Sequence, residues 1–208
     1  LTACPSNVGT GMRASVMLHL PALVLAGQVH QIIQAVGKLG LAVRGLYGEG
    51  TEATGNLFQI SNQVTLGETE GEIIDRLGKV VAQIIEHEDN ARENFAEKNA
   101  ATVNDQVGRA YGILTGAYQI SSKEALNLLS ILRLGIDLGM FPGFSRDEID
   151  RLFIESQPGH LQKSTGRKLS SEERDLLRAA LIRERLSQLN RPVECAPPPA
   201  EPSAGQES

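Results

Sequence analysis

The chain has 208 residues, 41% of them apolar, which is enough to bury one substantial core and a second, smaller one. Its formal net charge of -5, without any clustered excess of Lys and Arg, excludes the electrostatic footprint of a nucleic-acid-binding protein. Two distant cysteines, Cys4 and Cys195, give neither a disulfide framework nor a CxxC metal site, and the longest apolar stretch, Val16 to Ala26, is broken by His19 and Pro21, too short to cross a bilayer.

In chain order, the first segment runs from Leu1 directly into the turn-forming CPSN sequence, with no charged leader or apolar signal region, so a piece of a longer protein in a reducing cytoplasm is expected. Ala14 to Leu20, Leu41 to Arg44 and Leu57 to Ile60 are short apolar runs that predict strands. Between the first two, Val29, Ile32, Ile33, Val36 and Leu39 recur at helical spacing and Gly40 follows as a stop. From Glu72, the residues Ile73, Leu77, Val80, Val81, Ile84 and Ile85 form the apolar stripe of a long amphipathic helix.

Arg92 to Asn104 is polar and suits either the end of that helix or an exposed connection, with a boundary near residue 100. Beyond it, the pairs Ser121 with Glu124, Ser145 with Glu148 and Ser170 with Glu173 predict capped starts of short helices. Pro158-Gly159 is expected to be a turn between two of them. The segment from Pro192, rich in Pro, Ala and Ser, is expected to be disordered, giving divisions at 1–100, 101–190 and 191–208. His19 is expected within a strand, and His30, His87 and His160 on helix or loop surfaces, with no metal-ligand spacing among the four.

Two blocks carry chemistry. In Cys4-Pro5-Ser6-Asn7-Val8-Gly9-Thr10-Gly11-Met12-Arg13-Ala14-Ser15, a turn with two glycines lets backbone N–H groups approach an anion, and an arginine enters a strand. The alternative is an ordinary tight turn. A cysteine beside such donors can hold a thiolate against a cation such as a guanidinium, although a lone Cys is more often a small packing residue. In Arg44-Gly45-Leu46-Tyr47-Gly48-Glu49-Gly50-Thr51-Glu52, an arginine again ends a strand, followed by a loop with acidic groups. Its planar fork suits phosphate oxygens; the alternative is a solvated hairpin loop.

Together with Asn56-Leu57-Phe58-Gln59-Ile60-Ser61-Asn62-Gln63 and Leu66-Gly67, these blocks resemble the ATP:guanidino phosphotransferase family over about residues 1 to 90. The resemblance implies an α+β fold, an antiparallel β-sheet flanked by helices and then a small all-helical C-terminal domain. It implies that Arg13 and Arg44 contact the phosphates of ATP, with Ala14, Ser15, Val16 and Met17, and Gly45, Leu46, Tyr47 and Gly48, around them. Cys4 and Glu49 would face the guanidinium, and Mg²⁺ would accompany the nucleotide. The family's acidic general base and further phosphate-binding arginines lie upstream of the CPSN block, so this chain alone is expected to be inactive.

Met12 to Met17, Tyr47 to Glu52, Leu134-Gly135-Ile136-Asp137-Leu138-Gly139 and Gln157-Pro158-Gly159 resemble the bacterial protein-arginine kinases in particular, to about Leu186. That likeness implies substrates that are proteins bearing arginine, marked for regulated degradation under stress. It also implies a zinc-binding activator protein, Clp-type protease machinery and a homodimer as partners. Arg174-Asp175-Leu176-Leu177-Arg178-Ala179 matches the RDxxRA motif, which in that family lines a second, regulatory pocket for phosphoarginine. Arg174 and Arg178, one turn apart, would share a phosphate while Asp175 accepts from the guanidinium. The alternative is a charged helix surface. A kinase for free arginine or creatine, and a phosphoarginine-binding module without catalysis, remain the rival readings of the whole.

Overall fold

The computed structural model describes residues 8–45 and 53–195. It is α+β: three antiparallel strands, β1 (Ser15–His19), β2 (Leu41–Gly45) and β3 (Leu57–Asn62), in the order β1-β3-β2, with helices around one face. Ser15 and Ala42 both pair with Ser61, and Met17 and Arg44 both pair with Gln59. Because side chains alternate across a sheet, Ser15, Met17, Ala42, Arg44, Gln59 and Ser61 share one face. Val16, Leu18, Val43, Phe58 and Ile60 fill the other, against the core.

The crossover from β1 to β2 holds α1 (Pro21–Leu25) and α2 (Val29–Lys38). The apolar stretch after Val16 is thus half strand and half helix; α1 is not visible in the periodicity because it is only one turn, opened by Pro21 at a position where a missing N–H costs nothing. Its two first amides, of Ala22 and Leu23, donate to the buried Glu88 carboxylate, each at 3.0 Å. Burial pushes the Glu88 carboxyl up against the pull of those bonds and of Arg92.

Helix α3 (Glu70–Lys98) carries Glu88 and closes the sheet's apolar face. It starts two residues before the expected Glu72, at a reciprocal capping box between Thr69 and Glu72. Ile73, Leu77, Val80 and Ile84 are buried as the stripe requires, whereas Ile85 is exposed. The polar stretch from Arg92 is helical: α3 ends at Asn99 and α4 (Ala100–Gly116) follows at once.

The remaining helices are α5 (Ser122–Asp137), α6 (Arg146–Glu155), α7 (Pro158–Thr165) and α8 (Ser171–Arg185). Ser121 and Ser170 accept from the amides of Glu124 and Glu173 as expected, but Ser145 accepts from Asp147 instead of Glu148. Pro158-Gly159 is not a turn between helices: Pro158 opens α7 with Gln157 as its cap, because proline's fixed φ suits the first helical turn. Nor is the stretch after Pro192 disordered from its start. The Val193 amide donates to the Met140 carbonyl at 2.9 Å, the Cys195 amide donates to Asn104 at 2.9 Å, and Cys195 is buried. Composition marked the segment as polar, but four residues suffice to seal the ends of α4 and α5.

Candidate functional site

β1 and β2 do not touch each other; β3 lies between them, and the shared register sets where the two candidate arginines emerge. Arg44 stands on the open face in line with Gln59, and Arg13 precedes β1 by the even step that returns it to the same face. Both line one cleft of about 350 Å³, with Gly11, Ser61, Asn62 and Gln63. Arg13 Nη2 lies 3.4 Å from Ser61 Oγ, while the Arg44 guanidinium has no partner among the described residues.

The cleft's described lining contains two guanidinium groups, amides and hydroxyls, and no carboxylate, in a chain whose net charge is negative. Such a surface binds an anion with several oxygens, since each arginine fork can take two of them.

The walls are fixed by backbone bonds. Asn62 accepts from the Ala14 amide at 2.9 Å and donates to the Met12 carbonyl at 2.9 Å, clamping the segment that presents Arg13. Gly9, with φ +82, packs so tightly on the loop after β3 that a Cβ would lie 2.2 Å from the Thr65 carbonyl oxygen. The first glycine of the turn therefore serves a contact between two pieces of backbone, and only Gly11 faces the cleft. Ser61 and Asn62 are cleft residues that the quoted blocks contained without marking as such, and Thr65 is one that falls between two blocks.

Of the remaining expected contacts, Ser15 and Met17 lie on the open face, with Ser15 Oγ accepting from Gln59 at 3.1 Å. Ala14 and Val16 pack against the core, so only their backbone can face a ligand. Cys4, Leu46, Tyr47, Gly48 and Glu49 lie outside the described residues.

The second arginine group is arranged differently. Arg178 in α8 is 1% exposed and donates from Nε to the Ser156 carbonyl at 2.9 Å and from Nη1 to the Ile120 carbonyl at 2.8 Å and the Asp175 carboxylate at 2.6 Å. Asp175 in turn accepts the Ile120 amide on its carbonyl at 3.3 Å. Arg174 is half-buried and donates to the Leu169 carbonyl at 2.8 Å. Leu176 is exposed, Leu177 half-buried and Ala179 buried. The two arginines are thus not equivalent members of one exposed face: Arg178 ties α8 to the loop before α5 and to the end of α6.

A larger cleft of about 480 Å³ between α6 and α8 is lined by Glu148, Arg151, Glu155, Glu184 and Arg185. Its charges of both signs, with Arg185 paired to Glu155 at 2.9 Å, give it no anion preference. Among the described residues no group of three or more His, Cys, Asp or Glu could hold a metal ion, and no helix is long and apolar enough to cross a membrane.

Comparison with known proteins divides the chain at the junction of α3 and α4. Residues 1–91 match the family model for the ATP:guanido phosphotransferase C-terminal catalytic domain, and residues 100–196 match that for the protein-arginine kinase McsB C-terminal domain. The chain is 55% identical over 186 residues to the protein-arginine kinase of Bacillus subtilis, covering 89% of this chain and 51% of that protein. The corresponding enzymes of a Geobacillus species and of Bacillus cereus strain G9842 are 56% and 54% identical, over 89% and 90% of this chain and 51% and 53% of theirs. The chain therefore spans about half the length of the curated relatives it matches.

Proposed function

Because the chain belongs to the ATP:guanido phosphotransferases, with part of their catalytic domain followed by the C-terminal domain of the protein-arginine kinases, we propose that it serves to transfer the γ-phosphoryl group of ATP to arginine side chains of proteins. The observation that carries this reading is the pairing of Arg13 and Arg44 on one sheet face, in one cleft whose described lining holds no carboxylate. The two forks hold the triphosphate oxygens in place and meet the charge that spreads over them as the phosphoryl group moves. Orientation and charge stabilisation then supply most of the rate, with no covalent intermediate on the protein. Mg²⁺ would come with the nucleotide, held by phosphate oxygens, since the described lining offers it no carboxylate.

Cys4 and Glu49 would hold the guanidinium of the acceptor. In the family the acidic general base lies upstream of the CPSN block, and the activity proposed is that of the full-length protein. The same likeness supports a cytoplasmic homodimer that marks proteins for degradation under stress, with a zinc-binding activator and a Clp-type protease as partners.

For the regulatory pocket, the burial of Arg178 assigns unequal roles. Arg174 contacts the phosphate of phosphoarginine, Asp175 accepts from its guanidinium, and Arg178 holds Asp175 in position. Titrating phosphoarginine into wild type and an Arg174→Ala variant tests this, and equal affinity in both eliminates the pocket.

The kinase reading is tested in the full-length protein by mass spectrometry of phosphoarginine on an added protein substrate, against free arginine as acceptor. Arg13→Ala and Arg44→Ala should each lower turnover by about 10²–10³, the usual cost of removing one transition-state donor. Phosphorylation of free arginine alone would favour the small-molecule alternative.

A further inference from the structure

Thr54, Gly55 and Asn56 form one 3₁₀ turn immediately before β3, and its backbone is unusual. Gly55 has φ +68 and Asn56 has φ +54, and Asn56 is the one non-glycine residue with positive φ among the described residues. Two successive left-handed residues persist only where neighbours hold them. The neighbours here belong almost entirely to α5, an element of the C-terminal domain matched separately from the catalytic one.

Asn127 of α5 accepts the Gly55 amide on Oδ1 at 2.7 Å. Ser130, one turn later and fully buried, accepts from Asn56 Nδ2 at 2.8 Å and meets His19 Nε2 at 2.7 Å. Arg133, the next residue on that face, meets His19 Nδ1 at 2.7 Å and pairs with Asp150 of α6. An arginine can only donate, so His19 Nδ1 is the acceptor and the ring proton sits on Nε2, donated to Ser130. The Asn56 carbonyl also accepts the Leu20 amide at 2.9 Å. One polar row on α5 thus grips the end of β1 and the start of β3, and a Cβ at Gly55 would press on Leu126 of the same helix at 3.2 Å.

Those strand ends govern the cleft. β3 sets Arg44 opposite Gln59, and its Ser61 touches Arg13, so a shift in the entry of β3 moves both guanidinium groups relative to each other. We propose that Asn127 and Ser130 are positioning residues for phosphoryl transfer: α5 of the C-terminal domain holds the strained turn Thr54–Asn56 and thereby sets the spacing of Arg13 and Arg44. This rests on the kinase reading of that cleft and adds the device by which the helical domain controls it.

Asn127 is the residue to change, because it is exposed and its loss leaves no cavity. In the full-length protein, Asn127→Ala removes the Gly55 acceptor and Asn127→Asp keeps it. The expected result is a roughly fivefold fall in kcat for Asn127→Ala, the size of one lost hydrogen bond, with KM for ATP unchanged. Asn127→Asp should recover most of that loss, together with the fall of about 2–4 °C in melting temperature that the unpaired Gly55 amide causes in Asn127→Ala. Hydrogen exchange should quicken at Gly55 and Leu20 in Asn127→Ala alone. An active wild type with an unchanged Asn127→Ala variant overturns the positioning role and leaves the kinase reading standing. A loss that follows a fall in melting temperature, with no recovery in Asn127→Asp, also overturns it. A wild type that forms no phosphoarginine overturns the kinase reading and the positioning role with it.

Discussion

Arg44 on the sheet and Arg178 in the helices are the same side chain in opposite circumstances. Arg44 is exposed and has no partner among the described residues, whereas Arg178 is 1% exposed and shared among two carbonyls and a carboxylate. The described part of the fold has consumed the hydrogen-bonding capacity of one guanidinium and takes up none of the other's. Availability, more than the presence of arginine in a motif, separates a group that can meet a ligand from one that holds helices together.

Two substitutions should separate the regions sharply. Arg178→Ala strips the Ile120 and Ser156 carbonyls of a donor and leaves Asp175 without its cation, and should lower stability by about 3–5 kcal/mol. Urea unfolding would measure this directly. Arg44→Ala, on an exposed face, should change stability by less than about 0.5 kcal/mol while removing most phosphoryl transfer. If Arg44→Ala unfolded as readily as Arg178→Ala, the contrast between an exposed and a buried guanidinium would be lost.

The junction between the two regions should respond to pH through His19. Burial, and next the nearby Arg133, lower its pKa from 6.5 to about 3, so the folded protein keeps it neutral while the unfolded chain takes up a proton below about 6.5. The unfolded state then binds more protons, and stability falls with decreasing pH across the window from about 6.5 to about 3. Between pH 6.5 and 5 the loss should be about 2 kcal/mol, at 1.36 kcal/mol per unit. Glu88, whose carboxyl is raised by burial, acts in the opposite direction, so His19→Gln compared with wild type at both pH values isolates the histidine. A variant with the same pH dependence as wild type would place that proton elsewhere.

The strands and the long helix were legible because alternation and helical periodicity are local properties that tertiary packing then enforced, whereas the meeting of Arg13 and Arg44 was implied only by the family resemblance, since it depends on the register of both strands with β3. Ser61 and Asn62 were visible only as part of a family segment, since nothing in a polar pair at a strand end distinguishes a cleft wall from a turn. The unequal roles of Arg174 and Arg178 were not legible: helical spacing put them on one face, but which one is buried depends on Ile120 and Ser156, distant in sequence. The grip of α5 on the turn Thr54–Asn56 was likewise hidden, because it joins residues more than seventy positions apart. The capped helix starts were read correctly at Ser121 and Ser170 and displaced by one residue at Ser145, where three consecutive polar residues offer the serine a choice of amide.

Those caps sharpen the contrast at its smallest scale. Thr69 with Glu72 at the start of α3, and Ser170 with Glu173 at the start of α8, are both reciprocal capping boxes, one on each side of the junction. Both Glu carboxyls are held below their usual range, first of all by the bond from the capping residue's amide, and Glu173 falls to about 2. Glu72 is exposed and Glu173 partly so, and burial lowers neither carboxyl, so neither side of the junction gains from burial there. Thr69→Ala and Ser170→Ala should therefore cost nearly the same, about 1 kcal/mol apiece in urea unfolding at neutral pH. Each substitution removes the side-chain oxygen that accepts the Glu72 or Glu173 amide and leaves the capping residue's own amide bonded to the carboxylate, so both costs should persist as pH falls toward the carboxylate range. Equal cap penalties alongside very different arginine penalties would locate the distinction between the two regions in the burial of guanidinium groups, since helix initiation follows the same rules in both.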